Sequence, residues 1–116
     1  MEAWIVHIRE EWIADEKTGR IEERNTYSAW ATENQALKNV ATFLKYEIGR
    51  PWNGAFTDRT ELRAAVQGLL EANKIMLAID LINRYTIIEP RNANDSTPRK
   101  VRITITESKF LGSAFE

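Results

Sequence analysis

From Ala3 to Ala14 apolar side chains fall on the even positions Trp4, Val6, Ile8 and Trp12, interleaved with Ile5, His7, Arg9, Glu11 and Ile13. A period of two predicts a β-strand with one face turned to a core. The polar stretch Asp15-Glu16-Lys17-Thr18-Gly19-Arg20 interrupts it, and Ile21 to Trp30 then resumes in strand fashion, so the two segments predict a hairpin. A loop over Glu16 to Gly19 sets Asp15 opposite Arg20. That register, carried along the ladder, pairs Ile8 with Tyr27, Arg9 with Thr26 and Glu11 with Arg24. It places Trp4, Val6, Ile8, Tyr27 and Ala29 on one face, and Ile5, His7, Ile13 and Trp30 on the other.

Beyond Trp30 the period changes. Thr32 and Gln35 have the spacing of a capping box, and Leu37, Val40, Ala41, Leu44 and Ile48 mark one stripe of a helix that Gly49 ends. Arg50-Pro51-Trp52-Asn53-Gly54 is turn-rich, and Thr57 or Asp58 can cap a second helix reaching about Ala72, with Leu62, Ala65, Val66 and Leu69 on its apolar side. Asn73 and Lys74 suggest a break before a third helix, Ile75 to Asn83, whose apolar character on most sides predicts a central position; without the break the two would form one long helix. Tyr85 to Glu89 and Val101 to Thr106 alternate again and predict a second hairpin around the polar loop Pro90 to Lys100.

The order ββαααββ predicts a single α+β domain over residues 1–116, with an antiparallel sheet of about four strands built from both ends of the chain and helices on one face. The tail Glu107 to Glu116 carries Phe110, Leu111 and Phe115 without periodicity, as a flexible or docking segment would.

Composition narrows the function classes. Apolar residues make up 43% and charged residues 28%, the balance of a folded protein. Sixteen basic residues against seventeen acidic ones leave a net charge of −1, which supplies no general attraction to nucleic acid or to an anionic membrane. The absence of cysteine excludes thiolate catalysis, disulfides and cysteine-based metal sites. The longest apolar run, Ile75 to Ile79, has five residues against the roughly 20 of a membrane span, and no secretory signal pattern opens the chain. A cytoplasmic protein is expected.

The chemistry-bearing motifs fail one by one. His7 is the only histidine and sits mid-strand, so neither a serine triad nor a zinc site can be assembled around it. Glu10 with Glu11, and Glu22 with Glu23, are strand neighbours that point to opposite faces. Asp15 and Glu16 belong to a turn, and Asp58 and Glu61 suit a helix start, so each is read as a solvated carboxylate. Asn92, Asn94 and Ser96 resemble the opening of a calcium loop, but Thr97 stands where its glycine belongs and Ile103 where its acid belongs. Gly49 and Gly54 have phosphate-loop spacing without the lysine, which is Ala55. No catalytic residue, cofactor or metal is implied.

Two surfaces are left. If the helices cover only one face of the first hairpin, Ile5, His7, Ile13 and Trp30 form an apolar and aromatic strip suited to a protein partner or to self-association as a dimer, with Trp52 as a further anchor. The second is basic: Arg84, Arg91, Arg99, Lys100 and Arg102 surround the second hairpin. Two helices followed by a basic-tipped hairpin resemble the second half of a winged-helix domain, which implies nucleic-acid binding through Arg91, Arg99, Lys100 and Arg102. Against it, Ile75 to Ile82 offers mainly apolar residues and Asp80 where a groove-reading helix needs polar ones, and the chain up to Asn25 holds seven acidic residues against four basic. A non-enzymatic protein-binding or inhibitor protein is therefore the leading expectation. In its short, cysteine-free, near-neutral and motif-free character the chain is similar to small accessory proteins of phages and mobile elements.

Overall fold

The computed structural model describes residues 2–15, 17–50, 54–57, 59–84 and 99–109. Strand β1, Glu2–Asp15, turns back into β2, Arg20–Trp30, and three helices follow: α1, Glu33–Ile48; α2, Thr60–Glu71; and α3, Ile75–Asn83. Strand β3, Lys100–Lys109, pairs antiparallel with β1, so the sheet order is β2-β1-β3 and the first strand is central. The sheet does unite the two ends of the chain. Among the described residues it has three strands where about four were expected. The predicted strand Tyr85 to Glu89, the tail beyond Lys109 and Trp52 lie outside the described residues.

The hairpin turn holds itself together locally. Asp15 Oδ1 accepts the Lys17 N–H at 2.9 Å, and the Gly19 N–H donates to the Asp15 carbonyl at 2.8 Å, with Gly19 at φ +70° as such a turn requires. Asp15 faces Arg20 as expected, but the next pair is Ile13 with Ile21, which leaves Ala14 unpaired as a β-bulge. Every pair below it is displaced by one residue from the predicted register: Ile8 meets Thr26, Arg9 meets Asn25 and Glu10, not Glu11, meets Arg24. A slip of one residue exchanges the faces of a strand. Tyr27 and Ala29 therefore join Ile5, His7 and Ile13 on the outer face, and Trp30 stands opposite Trp4 on the inner one.

The helices cover the inner face, as expected. Val6 and Ile8 of β1 and Val101 and Ile103 of β3 are buried against Val40 and Leu44 of α1, Leu62 and Val66 of α2, and Ala78, Ile79 and Ile82 of α3. Thr32 caps α1 by accepting the Gln35 N–H at 3.1 Å, and Gly49 ends it, both at the predicted positions. Helix α2 starts at Thr60; of its two predicted caps, Asp58 lies outside the described residues and Thr57 is occupied elsewhere, its buried hydroxyl accepting the Gly54 N–H at 2.9 Å inside a turn. The α2–α3 break falls where predicted, at Asn73, whose φ of 57° is left-handed. Helix α3 is not central. Met76 and Leu77 are exposed, and only its Ala78, Ile79 and Ile82 side is buried.

Among the described residues strand β3 lies at the edge of the sheet, and α3 closes part of its outer side. The Asn83 amide donates to the Ile103 carbonyl at 2.8 Å and accepts the Ile103 N–H at 2.8 Å, standing in for a neighbouring strand. Among the described residues, no helix is long and apolar enough to cross a membrane.

Candidate functional site

No helix among the described residues packs on the outer face of the sheet, so strand alternation sets what it presents. His7 and Tyr27 are paired across β1 and β2, their rings stacked 4.4 Å apart and tilted by only 4°, and His7 Nε2 lies 2.7 Å from Asn25 Oδ1. Tyr27 remains 66% exposed, and beyond the middle of the hairpin Ile21, paired with Ile13, is 54% exposed. Between these two patches runs a charged belt: Arg9 reaches Glu11 at 3.1 Å and Glu23 at 2.7 Å. Of the predicted partner-binding residues the structure brings together Ile5, His7 and Ile13 on this face, adds Tyr27 and Ile21, and removes Trp30. The Trp30 indole N–H donates to Ser28 Oγ at 2.9 Å on the inner side, against the core. The belt charges keep β2, whose other edge no described strand pairs, from offering a uniformly apolar edge.

The predicted basic surface is divided by the fold. Arg91 lies outside the described residues. Lys100 and Arg102 stand on the outer face beside Glu11 and Arg9, whereas Arg99 turns inward. Its guanidinium sits 5.4 Å from the Trp12 ring centre and donates to Glu10 Oε2 at 2.8 Å.

That contact exposes an error in the carboxylate reading, because Glu10 is not solvated. It shares the even parity of Trp4, Val6, Ile8 and Trp12, so the alternation that buries them buries it too, leaving its side chain 3% exposed. Arg24, brought opposite by the bulged register, donates to Oε1 through Nη2 at 2.8 Å and Nε at 3.3 Å. With Arg99 on the other oxygen, the carboxylate is held between two guanidinium groups, one from within β2 and one from the residue that precedes β3. A second buried acid, Glu47, belongs to the α1 stripe one turn after Leu44, and its side chain is 2% exposed. Its Oε2 accepts the Ala55 N–H at 3.1 Å, and Arg50 Nη1 lies 3.4 Å from Oε1. Gly54 makes that approach feasible: a Cβ there would stand 3.1 Å from Glu47 Oε2 and from the Arg50 Cβ.

Both acids line one cleft of about 410 Å³ between α1 and the sheet, together with Ile8, Arg24, Thr26, Phe43, Tyr46, Arg50 and Arg99. The parity of Glu10 and the stripe position of Glu47 were visible in the sequence. Their arginine partners were not, because they come from a bulged register and from a chain position 89 residues away. Compared with protein-family models, curated proteins and solved structures, the chain matches none significantly.

Proposed function

We propose that this is a small non-enzymatic protein that acts by binding a protein partner through the outer, helix-free face of its sheet. The observation that carries the proposal is the pair of exposed patches, His7–Tyr27 and Ile13–Ile21, on a face no described helix covers. Aromatic and branched apolar side chains supply most of the energy at protein interfaces, and a stacked ring pair is already ordered before the partner arrives. The Arg9–Glu11–Glu23 belt between the patches supplies orientation more than affinity. Lys100 and Arg102 extend the belt, so the face carries both signs of charge and suits a protein better than a uniform polyanion.

Incorporation of a photo-crosslinking residue at position 27, and separately at position 42 on the exposed side of α1, tests this in the native host. Position 27 should yield one defined protein adduct, and Ile21→Asp should abolish it. An adduct of twice the chain mass would identify the partner as a second copy. The same adducts from position 42, or an adduct indifferent to Ile21→Asp, would refute the proposal.

A further inference from the structure

We infer that the cleft between α1 and the sheet is a binding site for a small oxyanion, a phosphate monoester or a carboxylate attached to a flat apolar body. The charges that line it are two acids and three arginines, a surplus of one positive charge. Both acids are buried and both are engaged: Glu10 by Arg24 and Arg99, Glu47 by the Ala55 N–H and Arg50. Their role is then to hold guanidinium groups in place at the cleft wall, as a ligand-orienting shell does.

The arginines keep donors in reserve. Each guanidinium has five N–H groups; the bonds to Glu10 occupy Nε and Nη2 of Arg24 and Nη1 of Arg99, and the bond to Glu47 occupies Nη1 of Arg50. Nε and Nη2 of Arg50 and of Arg99 can form the parallel, charge-assisted pairs that phosphate and carboxylate accept, and Nη1 of Arg24 can add a single bond. Arg24 is 56% exposed and Arg50 26%, so a ligand can reach them from solvent. The volume of about 410 Å³ lies within the range of ligand pockets. Phe43 and Tyr46 give one wall an aromatic character, and the Arg50 guanidinium sits 5.7 Å from the Tyr46 ring centre, so charge and ring recognition adjoin. The site is on the opposite side of the sheet from the proposed partner-binding face and stands or falls separately from it.

The test is a two-dimensional NMR titration of the folded protein with phenyl phosphate, benzoate, orthophosphate and, as the neutral control, benzyl alcohol. Phenyl phosphate or benzoate should saturate the shifts of the Ala55 amide and the Arg24 side chain while benzyl alcohol leaves them unmoved; the tighter of the two assigns the anion. Arg50→Gln, which leaves Glu47 its Ala55 bond, should weaken that binding at least about ten-fold, the loss of one charge-assisted hydrogen bond. Arg63→Gln on the exposed side of α2 removes the same charge and should leave it within about two-fold, as expected for screened distant charges. Absence of saturable shifts, or equal weakening in Arg50→Gln and Arg63→Gln, would overturn the inference. Unchanged spectra of the free variants outside the cleft establish that both are folded.

Discussion

Replacing Glu10 by leucine isolates the contribution of the two-arginine clamp. Leucine extends the inward apolar row of Val6 and Ile8 and is of similar volume, so the substitution removes charge more than shape. What it leaves behind are two arginines. Arg24, more than half exposed, turns to water at little cost, whereas the Arg99 side chain is 18% exposed and is anchored by its backbone: its N–H donates to the Gly54 carbonyl at 3.3 Å and its carbonyl accepts from Arg59 at 3.2 Å. Breaking a buried ion pair from one side costs about 3–5 kcal/mol. Because one of the two cations escapes, and the new leucine gains some burial energy, the expected loss is about 2–3 kcal/mol. The triple variant Glu10→Leu/Arg24→Met/Arg99→Met leaves no orphaned charge and should recover most of that loss. Urea unfolding followed by tryptophan fluorescence measures both, with the slope checked for constancy. A Glu10→Leu variant within about 0.5 kcal/mol of the parent, inside the scatter of ordinary surface substitutions, would refute the reasoning. So would a triple variant less stable than the single one.

Two further substitutions probe the frame around the cleft. Asn83→Ala strips two hydrogen bonds from the buried Ile103 backbone and should cost about 2–4 kcal/mol, with faster amide exchange at Ile103 than at Val6 in the sheet centre. Thr32→Ala removes the α1 cap and should cost about 1 kcal/mol in the same urea assay, while Thr32→Ser, which keeps the acceptor, should lose less than half of that.

The elements legible in the sequence are those whose signals are local. The Thr32 cap, the Gly49 stop and the Asn73 break each act within one helical turn, and α1 and α3 begin and end where their residues predict. Signals that depend on tertiary competition misled. Thr57 is a good capping residue, but the Gly54 N–H claims its hydroxyl, and α2 starts at Thr60 behind an Arg59 cap that makes no side-chain bond. Helix α3 is apolar nearly all round, yet it packs on one side only, against α1, α2 and β3, and its Met76 and Leu77 face outward.

The single residue Ala14 has the widest consequences. Its exclusion from the ladder moves Tyr27 to the outer face, takes Trp30 to the inner one, and exchanges Glu11 for Glu10 as the partner of Arg24. Nothing in the turn sequence announces the bulge, because the Asp15–Arg20 pair that closes the loop is the same with or without it. The parity of β1 announces its result: a glutamate in register with Val6 and Ile8 must either leave the core face or find a cation there. A ladder without the bulge would offer Glu10 the neutral Asn25. The bulged one offers it Arg24, and the buried charge thereby favours the register that also exposes Tyr27. The ion pair on the inner face and the aromatic patch on the outer face are thus two results of one register: deleting Ala14 would bring Asp15 directly after Ile13, keep Arg20 and Ile21 as their partners, and should leave both features in place.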